Sequence, residues 1–193
     1  MPIKVSNPPV EEPLTLSEAK TQCRVDTLDD DTLLIGLISA AREWCEKADW
    51  RAYVTQTLEL WLDAWPAAGV IHIPRPPLQD VTSVVYYDIG DHEHTFAAAK
   101  YIVDTASQPG RIILRTYETW PITAPLLRSA NGICVTYTAG YGMAVDVPQR
   151  IKQAMLLLIG HWYENREDTA NAVNRSIEMG VQSLLGIDRA FRF

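Results

Sequence analysis

The chain has 193 residues, 47% of them hydrophobic and 21% charged, with a formal charge of -7. These proportions fit one folded domain, or one domain carrying an insertion, and exclude a largely disordered chain. The acidic balance, with scattered arginines and no basic run, excludes a protein that grips nucleic acid by neutralising phosphates.

Cys23, Cys45 and Cys134 are odd in number, widely spaced and without a C-x-x-C pair, so they read as structural thiols of a reducing compartment. The first residues show neither a basic run nor an apolar core, so no signal peptide is predicted. No uncharged apolar stretch reaches the ~18 residues of a membrane span, and no membrane partner is expected.

Residues 1–13 hold Pro2, Pro8, Pro9 and Pro13 and read as an extended arm. Thr15 with Glu18 three residues on is a capping box, which starts a short helix through about Arg24. Asp29, Asp30 and Asp31 place negative charge at the positive end of a second helix. A metal site is the alternative use of three aspartates, but consecutive residues at a helix start point different ways. The second helix is predicted over residues 32–48. Leu34, Ile38, Ala41 and Cys45 form one apolar stripe, and Leu33, Leu37, Ala40 and Trp44 form an adjacent one. That arc is wider than one packed face requires. Either the second stripe meets a neighbouring molecule, or the helix is sandwiched inside a larger core.

From Ala52 the period becomes alternating. Val54, Gln56, Leu58, Leu60 and Leu62 point one way; Tyr53, Thr55, Thr57, Glu59, Trp61 and Asp63 point the other. Further strands are predicted at Val70 to Ile73, Val81 to Tyr87, Tyr101 to Asp104, Arg111 to Leu114 and Ile133 to Thr138. Turns are predicted at Gly90-Asp91 and Pro109-Gly110, and Pro74-Arg75-Pro76-Pro77 reads as a loop or edge. A third helix follows Val147-Pro148, with Asp146 as the expected N-cap and Ile151, Ala154, Met155, Leu158, Ile159 and Trp162 as its buried stripe. Residues 167–176 read as a polar loop, and a last short helix is predicted over about 177–185.

Helices, strands and helices in that order give an α+β fold. The expected organisation is an arm at 1–13, an α-helical bundle of residues 14–51 and 146–193, and a small antiparallel β-sheet or barrel inserted at 52–145.

Catalytic signatures are sparse. His92 and His94 flank Glu93 in an expected hairpin turn, where H-x-H could offer two zinc ligands, but the sequence supplies no evident third. His72 reads as a sheet residue, and His161 as a packing residue. Glu43 and Glu46 sit beside Arg42 and Lys47 and read as a solvated charged face. No phosphate loop, dinucleotide fingerprint or nucleophile elbow occurs. No catalytic residue, metal or cofactor is therefore expected. Six tryptophans are many for this length, and Trp61 falls on the polar face of its strand, which suits an interface.

An ordered series of short motifs runs through the chain: Leu16, Ala19-Lys20 and Arg24-Val25-Asp26; then Asp30-Asp31, Leu33-Leu34, Leu37-Ile38 and Ala41-Arg42; then Gln56-Thr57, Tyr137 to Gly142, Val147 to Ala154 and Tyr163 to Glu167. The series, covering roughly residues 14–167, resembles the head–tail connector, or adaptor, proteins of tailed bacteriophages, in the longer branch with a β insertion. The resemblance implies a non-enzymatic structural protein of the virion neck, assembled in the host cytoplasm. Its implied partners are copies of itself in a cyclic, dodecameric ring, the portal protein above, and a tail-side stopper or tail-completion protein below, with DNA passing through the channel unread. Leu33, Leu37, Trp44, Trp61, Ile151 and Met155 are the expected subunit-interface residues. Arg189, Phe191, Arg192 and Phe193 are the expected portal-contacting tail. The alternatives are another neck or tail-completion protein, and a small hydrolase or metal enzyme using His92 and His94.

Overall fold

The computed structural model describes residues 2–122, 126–165 and 180–186. These fall into two compact units, one of residues 10–54 and those from 141 onward, the other of residues 2–9 and 55–140. The fold is α+β, with helices on either side of seven of the strands in sequence and a first strand at residues 3–7 that joins their antiparallel sheets.

In the helical unit, α1 (Leu16–Cys23) opens on the predicted capping box. The Thr15 backbone N–H donates to Glu18 Oε2 at 2.7 Å, and the Glu18 N–H donates to Thr15 Oγ1 at 3.2 Å. Arg24 ends the helix in the left-handed region. The second helix, α2 (Asp31–Asp49), starts with its aspartates at the positive dipole end, but none of them makes a side-chain capping bond. Asp31 instead pairs with Lys20 at 2.7 Å, and Asp30 accepts a hydrogen bond from the Tyr163 hydroxyl. The third, α3 (Gln149–Glu164), has Pro148 at its N-cap rather than Asp146. Asp146 closes the single turn before it, accepting from the Met143 N–H at 2.9 Å. That role satisfies a backbone donor one turn earlier than expected, and leaves the helix to begin on the fixed φ of proline.

The core of this unit is a stripe from each helix. Ala19 comes from α1, Leu34, Ile38, Ala41 and Cys45 from α2, and Ile151, Ala154, Met155, Leu158 and Ile159 from α3. Residues 180–185 are helical as well, and add Val181 and Leu185. Fully burying each large aliphatic side chain contributes roughly 1.5–3 kcal/mol, so these stripes explain why three short helices hold together.

The β unit contains two sheets. The larger orders its strands β1 (Ile3–Asn7), β2 (Gln56–Leu62), β8 (Ile133–Ala139), β4 (Leu78–Tyr87) and β5 (Glu93–Thr95), all neighbours antiparallel. The smaller orders β3 (Val70–Ile73), β7 (Gly110–Leu114) and β6 (Tyr101–Asp104). On β2 the inward set is the predicted one, Gln56, Leu58, Leu60 and Leu62. On β4 the buried positions are Leu78, Val81, Val84 and Tyr86, a broken alternation. Register shifts between Leu78 and Asp80 and between Val81 and Ser83 account for it, because each extra residue flips the strand. Trp65, Tyr86, Phe96, Tyr101 and Trp120 form an aromatic cluster, with Trp65 and Trp120 stacked at 4.6 Å and the Trp120 indole N–H donating to the Pro66 carbonyl.

Two strands depart from the sequence expectation. Residues 3–7 of the proline-rich arm form the edge strand β1 on β2. The His92–His94 segment is no simple turn: Glu93–Thr95 pairs with β4, His94 opposite Tyr86.

Gly140 and Gly142, which follow β8, both have positive φ, 132° and 134°. A Cβ on Gly142 would run into the Asp146 carboxylate that holds the Met143 N–H. Gly142→Ala is expected to cost about 2–3 kcal/mol, read as a lower urea midpoint, from backbone strain plus that clash.

Candidate functional site

Among the described residues, no group of three or more His, Cys, Asp and Glu side chains is arranged to hold a metal ion. His92 Nδ1 and His94 Nε2 both approach Asp88, at 3.2 and 3.0 Å, and the same carboxylate accepts the Gly90 and His92 backbone N–H groups. These bonds hold its pKa well below the usual carboxylate range, the His94 bond foremost. The arrangement staples a hairpin. The candidate site is accordingly a set of surfaces.

The predicted interface residues separate into three groups. Ile151 and Met155 are 1% and 0% exposed, inside the core of the helical unit, so their side chains offer nothing to a neighbour. Leu37 and Trp44 are half-buried against that same core. Leu33 is exposed, and beside it on α2 stands Ile35, which is more exposed still. The helix therefore presents Leu33 and Ile35 outward with the rims of Leu37 and Trp44. Sequence reasoning passed over Ile35 because it lies off both i, i+4 stripes. Arg189, Phe191, Arg192 and Phe193 lie outside the described residues.

Trp61 is half-exposed on the outer face of the β2–β8 pair, opposite Cys134. Its ring stacks on Tyr87, centroids 6.1 Å apart, and the Arg128 guanidinium lies 4.3 Å from the Tyr87 ring centroid and 5.9 Å from that of Trp61. Arg128 is fixed by the Ala130 and Asn131 carbonyls and by Asp91 at 3.2 Å. Beside this group opens a cleft of about 270 Å³, lined by Pro2, Ile3, Lys4, Trp61, Arg128 and Asn131. Alternation located Trp61 here, but no local pattern could assign Arg128, 67 positions away in sequence.

A third surface is the turn between α1 and α2. Leu28 is 77% exposed there, with Asp26 and Asp29 exposed on either side. Lys20 Nζ holds the turn from below, donating to the Thr27 carbonyl and to Asp31, both at 2.7 Å.

Beneath these surfaces, the helical unit is tied by a buried polar network. Arg42, 8% exposed, donates from Nε to Glu12 at 2.8 Å and pairs through Nη1 with Glu46 at 3.3 Å. Glu46 Oε1 accepts the Tyr53 N–H at 2.9 Å, and the Tyr53 hydroxyl donates to Asp49 Oδ2 at 2.9 Å. Burial pushes Asp49 up to about 7, against its hydrogen bonds from Tyr53 and Arg51. Burial also raises the Cys45 thiol far above its ordinary value, so it is inert.

Residues 13–92 match the family described as phage gp6-like head-tail connector protein, a span that covers α1, α2 and strands β2 to β4. No curated protein matches the chain. A chain in the virion of a native gene transfer agent (GTA) particle is similar at 24% identity and TM-score 0.80, over 100% of this chain and 97% of that one. Chains from the neck of the empty GTA particle, computed with C6 symmetry, and from the neck of the native particle, computed with C12 symmetry, are each 23% identical, at TM-scores 0.83 and 0.79 and the same coverage. At these identities the likeness establishes a shared fold along the whole chain.

Proposed function

We propose that this chain, whose residues 13–92 match the family described as phage gp6-like head-tail connector protein, is a structural subunit of a virion neck. Copies form a closed cyclic ring, twelve on the virion, that docks beneath the portal, extends the DNA channel and offers an attachment surface to a tail-side stopper or tail-completion protein. The observation that carries this reading is the family match over the part of the chain holding α1 and α2, joined to a fold shared with chains from GTA particle necks computed with C6 and C12 symmetry.

The physical chemistry supports it. A cyclic ring needs heterologous contacts, one patch of each subunit meeting a different patch of the next. This chain carries apolar side chains on several distinct surfaces: Leu33 and Ile35 on α2, Leu28 on the α1–α2 turn, and Trp61 on the outer sheet face. Its net charge of -7 suits a channel lining, because an acidic wall repels phosphates and lets duplex DNA slide without sticking.

The test is multi-angle light scattering of the purified protein, alone and mixed with its cognate portal. The expected result is a discrete ring, or a monomer that joins the portal stoichiometrically. A monomer that ignores the portal overturns the reading.

A further inference from the structure

We propose that the cleft beside Trp61 receives the α1–α2 turn of the next copy of this chain, with Leu28 seated in the cleft and Asp26 and Asp29 facing Lys4 and Arg128. The inference deepens the ring reading and rests on it.

The cleft and the turn are complementary in chemistry. The cleft is walled by Pro2, Ile3 and Trp61, and carries two cations at its rim, Lys4 and Arg128. Its volume of about 270 Å³ accommodates one branched aliphatic side chain. Lys4 makes no ion pair among the described residues. Arg128 shares only one nitrogen with a carboxylate, that of the highly exposed Asp91. Glu59, across the strand pair from Lys4, is engaged by the Trp61 indole N–H at 3.2 Å.

The turn offers the matching knob. Leu28 is large, apolar and 77% exposed, and among the described residues neither Asp26 nor Asp29 has an ion-pair partner. The two Lys20 bonds, and the Asp31 N–H donating to the Leu28 carbonyl, hold the turn in one shape before it meets anything. A knob fixed in advance loses little conformational freedom on docking. At other exposed apolar residues the flanking carboxylates are already engaged, Glu11 and Glu12 beside Val10 by the Ala144 N–H and by Arg42. Asp146, next to Val145, is committed to the Met143 N–H, Glu118, next to Tyr117, to Lys100, and Asp91, near Ile89, to Arg128.

Because knob and cleft are different patches, their union is heterologous and propagates from copy to copy, as a ring demands. Opposite charge at the rim sets which faces meet more than it sets the strength of the contact.

The experiment mixes two separately purified full-length variants, Leu28→Cys and Pro2→Cys, oxidises them and measures the disulfide-linked heterodimer by mass spectrometry. The reference pairs Leu28→Cys with Lys100→Cys, so background from the three native thiols is common to both mixtures. The expected yield exceeds the reference about tenfold and falls back to it when Asp26→Lys and Asp29→Lys are added to the Leu28→Cys chain. Circular dichroism confirms that each variant is folded. A yield no higher than the reference, or one indifferent to charge reversal, overturns the contact. Light scattering of the unsubstituted chain separates the two failures: a ring without this crosslink leaves the connector reading standing, and no ring with or without portal removes both.

Discussion

Arg42→Met is expected to lower the free energy of unfolding by about 3–5 kcal/mol. The guanidinium is 8% exposed and hydrogen-bonds to three groups, Glu12 at 2.8 Å, Glu46 at 3.3 Å and the Ser39 hydroxyl at 3.4 Å, with the Glu43 carboxylate 3.9 Å away. Removing it takes a cationic partner from Glu46, which is 5% exposed and accepts the Tyr53 N–H through its other oxygen. A weakened balance of charge around that buried carboxylate adds to the lost attraction itself. Two companions separate the causes. Arg42→Lys keeps the charge but not the fork, and recovers only part of the stability. Adding Glu46→Gln to Arg42→Met removes the buried negative charge as well, and is expected to recover part of the loss. Urea denaturation of the four proteins measures all three differences; equal losses in the single and double variants would sink the argument.

The second large effect is a dependence on pH. Asp49 has a folded value of about 7 against an ordinary 3.8. Between about pH 4 and pH 7 the folded chain therefore keeps a proton that the unfolded chain has released. Stability falls as pH rises through that window and levels off above it, with a total loss of about 4 kcal/mol. Asp49→Asn removes the titration. Its stability relative to the unsubstituted chain is expected to rise steadily from pH 4.5 to pH 8. The sign of that difference is the test, since a carboxylate held by a salt bridge would give the opposite slope. Asp88 and Asp104 do not interfere: hydrogen bonds hold both well below the usual carboxylate range, so they titrate beneath the window.

Local rules recovered most of the fold. The capping box at Thr15 and Glu18 needs three residues of spacing and nothing else, and it fixes where α1 starts. Alternation from Gln56 to Leu62 identified the inward face of β2, since a half-buried strand must alternate. The misses share a cause. β1 has only Ile3 and Val5 as an alternating apolar pair, too short a signal among the prolines around it, and its pairing with β2 makes it a strand. β5 is Glu-His-Thr, polar throughout, and is held in place by pairing with β4 and by the Asp88 staple. In both, distant chain overrides local propensity.

The candidate site was less legible for a related reason. Periodicity shows which face of a helix is apolar but not what covers it. Ile151 and Met155 were read as available to a neighbour, and the other helices of their own unit cover them. Leu28 and Ile35, outside any stripe, are the ones left bare. The Arg42 hub joins Glu12, 30 positions away, and no spacing rule spans that distance.

The position of β8 bears on how the subunit is made. It lies between β2 and β4, although both precede it in the sequence. On the ribosome, β2 and β4 are synthesised long before residues 133–139 emerge, and through that interval each has an edge with no strand to pair with. Non-local pairing of this kind is slow, and bare edges recruit other nascent chains. Where many copies of the chain are produced together, the vulnerable step in its production is then the delay before β8 emerges, and a synonymous change that slows translation just ahead of it would lower soluble yield without altering a single residue.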